Sequence, residues 1–79
     1  MLITGNQLKA ARALAGIDQK TLAAESSVNI STIGSMEAKG EASLTSGLDT
    51  IRKVMAALEA RGVEFLNHGN PGVRLGTTK

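Results

Sequence analysis

The stretch 18–40, DQKTLAAESSVNISTIGSMEAKG, places two short helix patterns on either side of a tight turn, and this arrangement constrains the fold more than any other feature of the chain. Asp18 stands at the N-cap of the first helix, whose Leu22 and Ala23 turn inward. Asn29 stands at the N-cap of the second, whose Ile33 and Met36 turn inward. Val28 and Ile33 have the spacing of a hydrophobic staple, which fixes the angle at which the chain enters the second helix. The expected unit is a helix-turn-helix, and in such a unit the second helix is the one presented to the DNA major groove.

Start and stop signals extend the pattern in both directions. Thr4 as N-cap, Gln7 as its capping-box partner and Ile3 with Leu8 as a staple predict a first helix over about 5–15, stopped by Gly16. Helices over 19–26 and 30–38 follow, then a loop over 39–45. A second capping box, Ser46 with Asp49, and a stripe of Leu48, Ile51, Met55 and Leu58 predict a fourth helix over about 47–61, capped by Gly62.

The order and spacing of Arg12, Leu14, Gln19, Leu22, Ala23, Val28, Ile33, Met36, Glu37 and Gly40 resemble the Cro and phage-repressor (XRE-type) family of DNA-binding domains. The resemblance covers roughly 4–61 and implies a mainly α fold, a lambda-repressor-like four-helix helix-turn-helix domain. It also implies roles: Arg12 pairs with Glu37 at the end of the recognition helix, Gln19 opens the second helix and touches the DNA backbone, and Ala23 lets the two helices approach. The chain departs from the family at Ser27, which holds a turn position usually occupied by Gly and so faces the cost of a left-handed conformation.

A second departure bears on base reading. The recognition helix carries no Lys or Arg, and its one charge, Glu37, belongs to the structural pair. Asn29, Ser31, Thr32 and Ser35 remain to bond base edges or phosphates, and Ile30 or the Thr32 methyl to pack on thymine methyls. Gly34 either lets the backbone approach the DNA or is simply a weak helix position. Gln19 and Lys39 divide between contacts to the DNA backbone and ordinary solvated surface.

The tail changes character. Val63 to Leu66 and Val73 to Leu75 are rich in strand formers, with turn residues between, so a C-terminal β-hairpin over about 63–75 completes the fold. A lone hairpin is marginal in water, and must pack on the helices, pair with the segment 1–3, or pair with a second subunit. Phe65 and Leu66 are the expected apolar anchors of a dimer contact.

Composition narrows the alternatives. At 79 residues the chain is expected to be one domain, 1–79, near the size at which a single core just holds. It has no cysteine, so neither a disulfide framework nor a thiolate zinc site arises. Phe65 is its one aromatic residue, which argues against binding single strands through stacked bases. His68 lies among turn residues without a second metal-ligating neighbour, the 67–72 glycines precede no helix that would bind an anion, and Glu59 with Glu64 read as solvated charges. No nucleophile stands with a base, so neither enzyme activity, metal nor cofactor is expected. A net charge of +2 permits nucleic-acid binding without demanding it. No apolar run has the length of a membrane span or a signal-peptide core, so a cytoplasmic protein is expected.

These observations predict a sequence-specific double-stranded DNA-binding regulator, a repressor acting as a homodimer. The alternative is a protein-interaction module of antiactivator or antitoxin-like kind, with weak or no DNA binding, and its motive is the uncharged recognition helix.

Overall fold

Thr4 starts the first helix, α1 (Gly5–Ala15), by the reciprocal cap expected of it. Its Oγ1 accepts the Gln7 amide at 3.1 Å, and Gln7 Oε1 accepts the amides of Thr4 at 3.4 Å and Ile3 at 2.6 Å. The Gln7 Nε2 group donates to the carbonyls of Met1 and Gly72, so one buried glutamine ties the N-terminal segment and the C-terminal hairpin to α1. The computed structural model describes residues 1–66 and 69–76.

Leu2, and not Ile3, anchors the N-terminal segment in the core. The segment is extended, bridging Thr4 to Ser43 and accepting the Leu44 amide at the Ile3 carbonyl, 2.7 Å. Alternate residues of extended chain face opposite ways. Leu2 and Thr4 therefore point in, and Ile3 is exposed and does not serve as the expected staple. α1 closes at Gly16, whose φ of 72° is the left-handed stop that glycine supplies without strain.

The second helix, α2 (Gln19–Ser26), begins at Asp18, whose carboxylate accepts the Thr21 amide at 2.8 Å. That bond holds the Asp18 pKa below the ordinary carboxylate value. It ends at Ser27, with φ 58°, the one non-glycine residue with positive φ among those described. The third helix, α3 (Ile30–Ala38), begins at Asn29, whose Oδ1 accepts the Ser31 amide at 2.8 Å. Leu22, Val28, Ile33 and Met36 are buried together, as the inward pattern requires.

The fourth helix, α4 (Leu48–Glu59), is shorter than 47–61. Gly47 is its N-cap and no side chain caps it, so the Ser46 and Asp49 box does not form. Starting at Leu48 leaves Ser46 outside the helix and puts Asp49 in the first turn, where its charge suits the helix dipole and it pairs with Lys53 at 3.6 Å. The helix stops at Ala60, and Gly62, with φ 91°, makes the following turn instead of capping the helix. The buried stripe is Ile51, Val54, Ala57 and Leu58. Met55 is half-buried and Leu48 is half exposed, because the stripe is rotated from the expected one.

Strands β1 (Val63–Leu66) and β2 (Gly72–Leu75) form an antiparallel hairpin with Val63 opposite Leu75 and Phe65 opposite Val73. Val63 is buried, and Phe65 and Val73 pack against the helical core. The hairpin thus packs on the helices within one chain, while the 1–3 segment pairs with the loop before α4. Phe65 is only partly covered by this packing. Its expected partner, Leu66, is half-buried. The turn histidine, His68, lies outside the described residues. Among the described residues no helix is long and apolar enough to cross a membrane.

Candidate functional site

α3 presents two unlike faces. Its inner face is fixed by Ile33, Met36 and Glu37, all buried. Glu37 receives the Arg12 guanidinium in a two-pronged contact, Nε to Oε2 at 2.7 Å and Nη2 to Oε1 at 3.1 Å, and the Arg12 Nη1 also donates to the Ile17 carbonyl at 3.2 Å. Gln19 Nε2 donates to Glu37 Oε1 at 3.1 Å. Burial pushes the Glu37 carboxyl up, but the hydrogen bonds from Arg12 and Gln19 and the attraction of the guanidinium outweigh it and hold the pKa below its ordinary value. The Arg12 pKa is raised in turn by its bond to Glu37. Three helices therefore share one carboxylate.

The outer face carries the residues expected to meet DNA. Asn29, Ile30, Ser31, Ser35 and Lys39 are exposed, and Gln19 and Thr32 are half-buried. Ser31, Thr32, Ser35 and Lys39 line one wall of an open groove of about 220 Å³, with Leu44, Thr45 and Ser46 on the other. That is below the roughly 300–1,000 Å³ usual for a small-molecule pocket, and the walls are rich in hydroxyls. The arrangement suits polar contacts with a surface laid across it. Asn29 and Ile30 sit at the N-terminal end of α3 beside this groove, whereas Phe65 and Leu66 belong to the hairpin.

Two features of the site are not visible in the sequence pattern. Thr45 and Ser46 reach the groove only because the 39–47 segment folds back beside α3, and no local signal announces that. Gly5 is the other. A Cβ there would collide with the Met36 carbonyl and come within 2.8 Å of the Gly40 amide and 2.9 Å of the Glu37 carbonyl. The start of α1 thus rests directly on the end of α3, where the Asn6 amide donates to the Gly40 carbonyl at 2.7 Å. The position of α3 is set by backbone contact as well as by the Glu37 cluster.

On the far side of α2, Glu25 pairs with Arg61, its Oε1 receiving the Arg61 Nε at 2.7 Å. The guanidinium hydrogen bonds draw the Glu25 carboxyl below its ordinary value, but both partners are exposed, so the pair contributes little. No protein-family model matches this chain, and comparison with curated proteins finds no match.

Proposed function

We propose that the chain is a sequence-specific double-stranded DNA-binding transcriptional regulator of the Cro and phage-repressor type, with α2 and α3 as the helix-turn-helix of a lambda-repressor-like fold. The observation that carries this reading is the division of α3: an inner face locked through Glu37 to Arg12 and Gln19, and an outer face of exposed hydrogen-bonding side chains. A helix held rigidly from behind keeps its outer side chains in register with a groove. Ser31, Thr32, Ser35 and Asn29 supply donors and acceptors for base edges and phosphates, while Lys39, Lys20 and the amides at helix N-termini supply phosphate contacts.

One helix of this length spans few base pairs. Two copies on half-sites one helical turn apart would supply both affinity and specificity, so the regulator acts as a homodimer in the cytoplasm. Occupying promoter DNA is then enough for repression.

The absence of Lys and Arg from Ile30–Ala38 favours a second reading, a protein-interaction module with weak or no DNA binding. A salt-titrated binding assay on the promoter DNA upstream of its own gene separates the two. The DNA-binding reading expects an affinity above that for random duplex and a logarithmic decline with salt set by a few phosphate contacts. Equal, weak binding to both duplexes would favour the interaction module.

A further inference from the structure

Ile30 is a large apolar side chain that stands outside the core cluster. It opens α3 with 45% of its surface in water, while its apolar neighbours Val28 and Ile33 are both in the core. Its position is the N-terminal end of the helix, the end whose side chains reach base edges when a helix of this kind enters a major groove. The groups around it restrict what this end can read.

Guanine is recognised most strongly by a cationic side chain bonding O6 and N7 together, and α3 contains no Lys or Arg. Adenine is recognised by an amide that donates and accepts at once. Asn29 is the only amide side chain at this end of the helix, and its carbonyl oxygen accepts the Ser31 amide at 2.8 Å, so a two-pronged contact with adenine would have to share that oxygen with the helix cap. What remains is a branched apolar chain flanked by the Ser31 hydroxyl and the Asn29 amide nitrogen. The one apolar group on a base edge in the major groove is the C5 methyl of thymine.

Resting on the DNA-binding reading above, we infer that Ile30 is a specificity-determining residue that packs on a thymine methyl, so that each half-site carries thymine beneath the start of α3. The contact selects by burying one methyl and excluding water from Ile30. Burial of one such group corresponds to about fourfold in affinity.

The test begins by selecting the preferred duplex from a random pool with the intact chain. Each thymine of that duplex is then replaced singly by deoxyuridine, which removes only the methyl. At one thymine in each half-site the replacement is expected to raise Kd about fourfold. Ile30→Ala is expected to bind the thymine and deoxyuridine duplexes alike, and Ile30→Val, which keeps branched methyls, to retain most of the discrimination. Because Ile30 is exposed, unchanged melting of both variants is expected and verifies that they fold. If no thymine is sensitive, or if Ile30→Ala keeps the full sensitivity, Ile30 does not read thymine and DNA binding itself still stands. If selection yields no preferred sequence, the DNA-binding reading fails and this inference with it.

Discussion

Gln19 donates its side-chain amide to the same Glu37 oxygen that receives Arg12 Nη2, each at 3.1 Å. The first residue of α2 is therefore fastened to the last turn of α3, and through Arg12 both are fastened to α1. An amide nitrogen has two protons, and Glu37 takes one. The other remains for a phosphate, so the part Gln19 plays in the fold leaves its expected contact with the DNA backbone open. The bond also orients that contact, because a side chain held at one proton offers the other in a fixed direction.

The shared carboxylate makes the two halves of the pair unequal. Glu37 is 4% exposed and Arg12 is 22% exposed. Arg12→Ala strands a buried charge and is expected to cost about 2–3 kcal/mol, below the roughly 3–5 of a fully buried pair because Arg12 reaches solvent. Glu37→Gln leaves a cation that water can reach and should cost about 1–2 kcal/mol. The pH dependence follows from the lowered pKa of Glu37. A depressed carboxyl contributes stability that is full above its unfolded-state value, about 4.3 for glutamate, and is lost as pH falls through the lower folded-state value. Urea unfolding should show the Glu37→Gln deficit full above about pH 5 and shrinking below about pH 4. A deficit unchanged at pH 3 would mean that the folded carboxyl is not depressed.

What was legible in the sequence is what is decided locally. The caps at Thr4, Asp18 and Asn29 and the stop at Gly16 involve residues within a turn of one another, and each forms as its side-chain chemistry dictates. The cap of α4 did not follow its signal: Ser46 is the expected N-cap, and the helix instead starts one residue later from Gly47, which N-cap preferences also allow at that position. The destination of the hairpin was equally out of reach. An apolar Phe65 fits a dimer contact or the chain's own core, and it is the packed helices that cover part of it within the chain. The Arg12 and Glu37 pairing came from resemblance, while the Gln19 bond and the Gly5 contact needed three-dimensional placement.

Ser27 tests the strain in the turn between α2 and α3. Its φ of 58° and ψ of 34° are left-handed, and its side chain is exposed. Ser27→Gly should relieve roughly 1–2 kcal/mol of conformational cost, partly offset by the greater freedom of unfolded glycine, for a net gain of about 0.5–1 kcal/mol. Thermal melting of the variant at or below the parent would show that the serine is not strained.

Two glycines should respond in opposite directions to alanine. At Gly5 the added methyl meets the backbone of Met36, Glu37 and Gly40, which cannot swing away, so a loss of about 1–3 kcal/mol is expected from overpacking. At Gly34 the nearest obstacle is Gln19 Oε1 at 3.9 Å, and Gly34→Ala should gain about 1 kcal/mol from helix propensity. If Gly34→Ala is more stable yet binds promoter DNA less well, the bare backbone at Gly34 is needed for close approach. Equal stability of the Gly5→Ala variant and parent in denaturant would contradict the packing of α1 on α3.

The outer face of α3 should sort into specifying and positioning residues. Ser31→Ala or Ser35→Ala is expected to cost about 1–3 kcal/mol on the preferred site and little on random duplex. Lys39→Ala should weaken both alike and lower the slope of log affinity against log salt by about one unit. Equal losses on both duplexes from the serine variants would take them out of base reading, and an unchanged slope would take Lys39 off the DNA.

The proposed homodimer calls for a test that leaves the protomer intact. Cutting after Gly62 would remove Val63, which is 2% exposed, together with Phe65 and Val73, and would deprive Gln7 of its Gly72 acceptor. Loss of buried Val63 alone costs about 1.5–3 kcal/mol, so a weak truncated domain would say nothing about assembly. Leu75 is the better probe. It is 49% exposed at the end of β2, which pairs only with β1 among the described strands and so keeps an open edge. Leu75→Asp should leave protomer stability within about 0.5 kcal/mol, because the side chain is already in water. A charge on the open edge opposes pairing with a second copy. If the hairpin edge is the two-fold contact, sedimentation equilibrium should find the parent dimeric and the variant dissociating at least about tenfold more readily, a loss of about 1.4 kcal/mol. A parent that stays monomeric at tens of micromolar, on DNA and off it, would remove the homodimer from the proposal.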